Sequence, residues 1–256
     1  MNKLELPDNA LTEAVKTADK HVGQTYDNLT APVTQSTGTG LSNIVDLVFS
    51  PFKYFNDKAA LYYQHKLTVY KKELEEKEKD IPEEKKKEPD FQAVSLALDN
   101  SKFCITNDDL RKMFVNLITN TMNSDMQGIA HPAFSEIIKQ MTSLDAKLLK
   151  SFEANKYQPI VEIRTPKGDD GYTVIYNNFF LPSAEIETTI DSCSVSISNL
   201  RRLGLVNITY SEWLNDAKNY QAHEEYVNKF HSGNEYQKGL VTLTPVGEKF
   251  IQVCFD

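Results

Sequence analysis

Residues 106 to 152 read TNDDLRKMFVNLITNTMNSDMQGIAHPAFSEIIKQMTSLDAKLLKSF, and their pattern decides the fold class. Thr106 and Asp109 form a capping signature, with Asp108 and Asp109 at the positive end of the helix dipole. Leu110, Met113, Phe114, Leu117 and Ile118 then recur at helical spacing. Asn123-Ser124-Asp125 and Gly128 mark a loop. A second helix starts at His131-Pro132, since proline suits the first helical position, where an N–H would go unpaired. Phe134, Ile137, Ile138 and Met141 give it one apolar face. Ser143 is the expected cap of a third helix, with Asp145 in its first turn and Leu144, Leu148, Leu149 and Phe152 on its buried side. Helices this short are unstable alone and must pack on each other or on neighbours.

Upstream, Asp8 or Asn9 can cap a short helix over residues 8 to 22. The Thr-, Ser-, Gly- and Pro-rich stretch 30 to 43 is expected to be a loop. Leu41 to Phe55, LSNIVDLVFSPFKYF, is the most apolar region. Asp46 and Pro51 make it a kinked core helix in the first instance, and an interfacial or membrane-perturbing helix in the alternative. A long helix over 57 to 79 follows, with Ala59, Tyr62, Tyr63, Leu67, Tyr70 and Leu74 near heptad spacing. That seam packs inside its own domain or joins two copies as a homodimer. The mixed charges of residues 71 to 90 support a solvated helix end, which Pro82 terminates. Phe91 to Leu98 gives a further short helix.

After Phe152 the period changes. Pro159–Arg164 and Tyr172–Tyr176 read as two strands joined by Pro-Lys-Gly-Asp-Asp-Gly, a hairpin. A helix is expected to resume from Ala184, with Ile186, Ile190, Cys193, Ile197 and Leu200 on one side and Gly204 after its end. Leu205 to Tyr210 reads as a strand, 213 to 230 as an inserted polar helix, Gly239 to Leu243 as a strand, and Thr244-Pro245 as the start of a last helix.

DDLRKMFVNLITNTMN, a loop, then HPAFSEIIKQMTSLDAKLLK resembles the abortive-infection alpha (Abi-alpha) family of bacterial proteins. Leu110, Phe114, Asn116, Leu117, His131, Pro132, Phe134, Ile137, Ile138, Leu144 and Asp145 carry the match. It extends to Ile81-Pro82 and Pro89 upstream and to Asn199-Leu200-Arg201-Arg202-Leu203-Gly204-Leu205 downstream. The resemblance implies a cytoplasmic role in phage defence and supplies no mechanism. The order helix, Arg-Arg-Leu-Gly-Leu-Val, strand, Leu-Thr-Pro-x-Gly-x-x-Phe is in turn similar to a winged helix. The expected fold is mainly α with an α+β C-terminal part, a helical bundle followed by a winged-helix-like domain. Its divisions are 1–90 with the long charged helix, 91–155 as a three-to-four-helix core, and 156–256 as the winged-helix-like region.

On the helix that a winged helix would present, Ser194, Ser198, Asn199, Arg201 and Arg202 are the candidate contacts to DNA or to a protein. Glu185, Glu187 and Asp191 share that helix, and the chain carries a net charge of −8, which disfavours phosphate binding. Cys104, Cys193 and Cys254 lie far apart among apolar residues and read as buried free thiols. His223-Glu224 lacks the second histidine of a zinc protease, because position 227 is Val, and His223 with His231 has no third ligand nearby. Thr37-Gly-Thr-Gly40 lacks the Lys-Ser/Thr of a phosphate loop. The N-terminus lacks the apolar core of a signal peptide, and no run of about 18 apolar residues suggests a spanning helix. The expectation is therefore a non-enzymatic protein without cofactor, metal or catalytic residue, acting on an unidentified protein partner. The runners-up are a winged-helix DNA-binding regulator and a membrane effector working through residues 41–55.

Overall fold

The structure, a computed structural model, describes residues 39–49, 58–183 and 186–255. The helix expected over 8 to 22 and the second half of the apolar 41–55 segment lie outside them. Packing divides the chain into two units, Met1–Asn43 and Ile44–Asp256, and the sheet and every helix from Lys58 onward belong to the second.

The described chain is mostly helical, with one four-stranded antiparallel sheet. In order it runs α1 (Thr39–Phe49), α2 (Lys58–Lys79), α3 (Phe91–Ser101), α4 (Asp108–Asn120), α5 (Ala133–Lys139), α6 (Ser143–Lys150), β1 (Tyr157–Pro166) and β2 (Tyr172–Phe179). Then come α7 (Ile190–Arg202), β3 (Val206–Thr209), α8 (Gln221–Phe230), β4 (Glu235–Leu243) and α9 (Pro245–Cys254). The stretch 106–152 forms its three helices, α4, α5 and α6.

Two of the caps sit one residue away from where the pattern points. Asn107, not Thr106, caps α4: its Oδ1 accepts from the amides of Asp109 and Leu110 at 3.1 and 3.3 Å. Thr142, not Ser143, caps α6. Its Oγ1 accepts from Asp145 N at 3.2 Å, and the Asp145 carboxylate accepts from Thr142 N at 2.7 Å, a reciprocal capping box. Ser143 instead donates to Asn107 Oδ1 at 2.9 Å, which ties the start of α6 to the start of α4. In both cases the extended backbone of the preceding residue, Asn107 or Thr142, aims its side chain at the free amides of the first turn.

Other boundaries also shift. Helix α1 begins at Thr39, inside the stretch read as a loop. Helix α7 begins at Ile190 rather than near Ala184, because Thr189 is extended and its side chain caps Ser192 N. The polar helix expected from Trp213 is a short turn at Ala217–Tyr220 followed by α8.

The heptad-like seam of α2 buries Leu67, Tyr70 and Leu74 within this chain, and α2 packs on α4. Phe49 of α1 meets the same seam, its ring 6.1 Å from that of Tyr70. Between α2 and α4 lies Arg111, only 4% exposed. Its guanidinium grips Glu73 with two parallel bonds of 2.8 and 2.9 Å and also donates to Asp108 and to Ile105 O. A buried guanidinium is tolerated only when its donors are met in this way. Lys66 and Arg111 together hold the Asp108 carboxyl down to about 2.

The sheet has the order β2-β1-β4-β3. One apolar cluster joins Val161, Ile163 and Phe179 to Tyr220 and Val227, so α8 packs on the strands. His223 is buried in it at 2% exposure, against the rings of Phe179 and Tyr220, with neither ring nitrogen hydrogen-bonded. Burial lowers its pKa from 6.5 to about 4.

The closing Thr-Pro-x-Gly-x-x-Phe phrase has a packing reason. Thr244 caps α9 and accepts from Gly247 N at 2.9 Å, and Thr244 N donates to Leu205 O at 3.0 Å. A Cβ on Gly247 would lie 2.1 Å from Leu205 O, so only glycine lets α9 press on the entry to β3.

Gly247→Ala should therefore destabilise the fold by about 3 kcal/mol or more, read as a lower urea midpoint. His223 supplies a pH test. The unfolded chain binds its proton below about 6.5 and the folded chain only below about 4. Stability from this residue is thus full above 6.5 and is lost as pH falls towards 4, by about 3 kcal/mol in all. His223→Leu should flatten the difference between unfolding at pH 7 and pH 4.5; an unchanged pH dependence would contradict the buried neutral imidazole.

Candidate functional site

Helix α7 carries the residues singled out for contact. Its inner side, Cys193, Ser196, Ile197 and Leu200, is buried. Its end is a Schellman motif: Gly204 stands at φ 74°, Leu205 N donates to Leu200 O, and Gly204 N donates to Arg201 O, each at 3.0 Å. This fixes the direction in which the chain enters β3.

The five candidate side chains have different fates. Asn199 Nδ2 donates to Asp145 Oδ2 at 3.0 Å and to Gln140 O at 3.2 Å. Its Oδ1 accepts from Arg202 Nε and Nη2 at 3.0 and 2.8 Å. Arg202 Nη1 reaches Gln140 Oε1 at 3.0 Å. Ser198 Oγ donates to Ser194 O at 2.6 Å and accepts from Asn178 Nδ2 at 3.0 Å. The Ser194 hydroxyl is buried. The Arg201 side chain is exposed and, among the described residues, makes no hydrogen bond or ion pair. Asn199 and Arg202 thus act as one clamp that fastens α7 to the α5–α6 turn, and only Arg201 is left for an outside ligand.

Asp145 is the centre of the clamp. It is 1% exposed and receives both Thr142 N and Asn199 Nδ2 on Oδ2. Sequence reasoning found Asp145 and Asn199 separately, 54 positions apart, and did not link them. It missed Gln140 and Asn178, which carry no motif. Asn178 has a positive φ of 54° in β2, which Asn tolerates better than most residues.

The remaining signature residues are mostly structural. Leu110, Phe114, Leu117 and Ile138 are buried, and Leu144 is half-buried. Pro132 leads into α5, and His131 Nδ1 accepts from Ala133 N at 3.1 Å. The Phe134 ring meets Phe250 of α9 edge-on at 5.2 Å. Asn116 Nδ2 donates to Cys254 O at 3.0 Å.

Among the described residues, no group of three His, Cys, Asp or Glu is placed to hold a metal ion. His223 faces Phe179 and Tyr220, whereas His231 faces the ring of Tyr226. Cys104, Cys193 and Cys254 are buried free thiols. No helix among the described residues is long and apolar enough to cross a membrane. The apolar segment from Leu41 is helical to Phe49, with Val45 and Phe49 buried. Three lysines gather around a cavity between α4, α6 and the end of α9, a grouping that no sequence motif marks.

Residues 62–254 match the family model described as abortive infection alpha. The chain belongs to the abortive infection alpha family. The Asp145 clamp, the Asn116 bond and the Phe134–Phe250 contact all fall inside the span matched by that family. A comparison with curated proteins finds no match to the chain. Among solved structures, an uncharacterized protein from the hydrocarbon-degrading marine bacterium Alcanivorax borkumensis SK2 is similar at 12% identity. The match covers 52% of this chain and 96% of that one, with a TM-score of 0.29.

Asp145→Ala removes the cap bond and the anchor of Asn199 together. It should cost about 2–3 kcal/mol in urea unfolding. Arg201→Ala should cost under about 0.5 kcal/mol, since that side chain is exposed and holds nothing.

Proposed function

We propose that the protein defends its bacterial host against phage by abortive infection, and that it acts in the cytoplasm by binding another protein rather than by catalysing a reaction. The family match over residues 62–254 carries the defence role. Protein contact is favoured over DNA readout by the state of α7. Asn199 and Arg202 are bonded to the α5–α6 turn and Ser198 to Asn178. Arg201 alone is a poor base reader, and the net charge of −8 opposes a polyanion. Val195, 69% exposed on the same helix, is an apolar side chain facing water.

We read α6, α7 and the β3–β4 pair as a winged-helix derivative. In this reading the β1–β2 hairpin is inserted between the two helices, and α8 is carried in the wing. The packing of α6 on α7, the Gly204 turn into β3 and the antiparallel pairing of β3 with β4 support it.

Expression in a susceptible bacterium should lower plaque number for at least some of a broad phage panel, with infected cells dying before they release progeny. Unchanged plaque counts across the panel would sink the defence role. In a mobility-shift experiment at low salt the purified chain should leave duplex DNA unshifted. A shift weakened by Arg201→Ala would overturn the protein-contact reading in favour of DNA regulation.

A further inference from the structure

The lysine cavity between α4, α6 and the end of α9 measures about 190 Å3. Lys112, Lys147 and Lys150 line it, with Asp109 as a carboxylate of its wall; the half-buried Phe255 contributes apolar surface, and Met113, 2% exposed, lies beneath the floor. The grouping follows from helical spacing. Asp109 and Lys112 are three apart on α4, Lys147 and Lys150 three apart on α6, and the two helices pack so that these faces meet.

The charges are not matched. Lys147 Nζ lies 4.0 Å from Asp109, with both side chains largely exposed, a weak pairing in water. Lys112 and Lys150 are exposed and form no ion pair among the described residues. Among the described residues, three ammonium groups against one carboxylate therefore line a single concavity, on a chain whose net charge is −8. Like charges gathered in this way repel, and an anion between them relieves the repulsion. The end of α9 would ordinarily oppose an anion with its free carbonyls. Here the carbonyls of Val253 and Cys254 are already bonded by Asn120 and Asn116, at 2.8 and 3.0 Å.

Lysine ammonium groups are compact point charges suited to phosphate oxygens. The half-buried Phe255 side chain offers the non-ionic part of a ligand an apolar face. We propose that this cavity binds a small phosphate-bearing molecule with an apolar or aromatic body, of the mononucleotide class, with Lys112 and Lys150 on the phosphates. Binding of this kind is independent of the defence role, and its test needs no phage.

The test is calorimetric titration of the full chain with ATP, AMP, adenosine and inorganic phosphate. ATP should bind more tightly than AMP, and inorganic phosphate more weakly than either, with all three weakened by added salt. Adenosine should give no heat. The variant Lys112→Ala plus Lys150→Ala should lose about tenfold or more in ATP affinity while its thermal unfolding stays unchanged. Lys167→Ala plus Lys218→Ala, at exposed sites elsewhere, should bind as the unaltered chain does. The proposal is overturned if no phosphate-bearing probe binds, if adenosine binds as well as ATP, or if the Lys112/Lys150 variant keeps full affinity. Inorganic phosphate binding as tightly as ATP would overturn the assignment of an apolar body.

Discussion

The structure depends on how α9 is closed at its two ends. At its start, Gly247 lets the helix rest on the Leu205 carbonyl, while Thr244 caps it and bonds back to the turn after α7. At its finish, two carbonyls that would lack partners accept from Asn116 and Asn120 of α4. Each unmet carbonyl there would cost on the order of 1 kcal/mol or more. These bonds cross 138 and 133 positions of sequence. Through them the helical layer and the sheet share one boundary, and the Phe134–Phe250 contact fills the space between.

The second constraint is the handling of buried charge. Arg111 and Asp145 are both nearly inaccessible, and each is surrounded by partners that match its shape. The guanidinium fork meets the Glu73 carboxylate in parallel, and the Asp145 carboxylate meets an amide of its own helix start and an amide of α7. Such pairs add little stability over an apolar replacement, but they penalise every arrangement in which a partner is missing. That penalty fixes which face of α7 looks inward. It also commits Asn199 and Arg202, two residues that a winged helix could otherwise offer to a ligand, to holding the helices together.

Much of the fold was legible because its signals are local. Pro132, Gly204 and the Thr244-Pro245 pair mark helix boundaries in the sequence, and the turn chemistry of residues 166–171 marks a hairpin that forms. The caps at Asn107 and Thr142 each fall one residue from the expected position, since several neighbouring polar side chains could cap and backbone geometry selects among them. The candidate site was legible only in part. Ser198, Asn199 and Arg202 lie on the helix expected for them, but their bonds run to Asn178, Gln140 and Asp145, which no spacing rule connects to them. The lysine cavity was invisible for the same reason, because α4, α6 and α9 are far apart along the chain.

The sequence by itself determined the kinds of elements, most of their order and the family. Periodicity, caps and turn residues act over a few positions and need no tertiary partner to be read. Only the tertiary structure decided which polar residues are committed to internal bonds and which are left over. Asn199 and Arg201 look equally available in sequence, yet one is fastened to Asp145 and the other faces water. Lys112 and Lys150 look like ordinary surface charge until packing turns them towards the same concavity. Burial and pairing are set by what the fold brings near each group, and that information lies across the chain rather than along it.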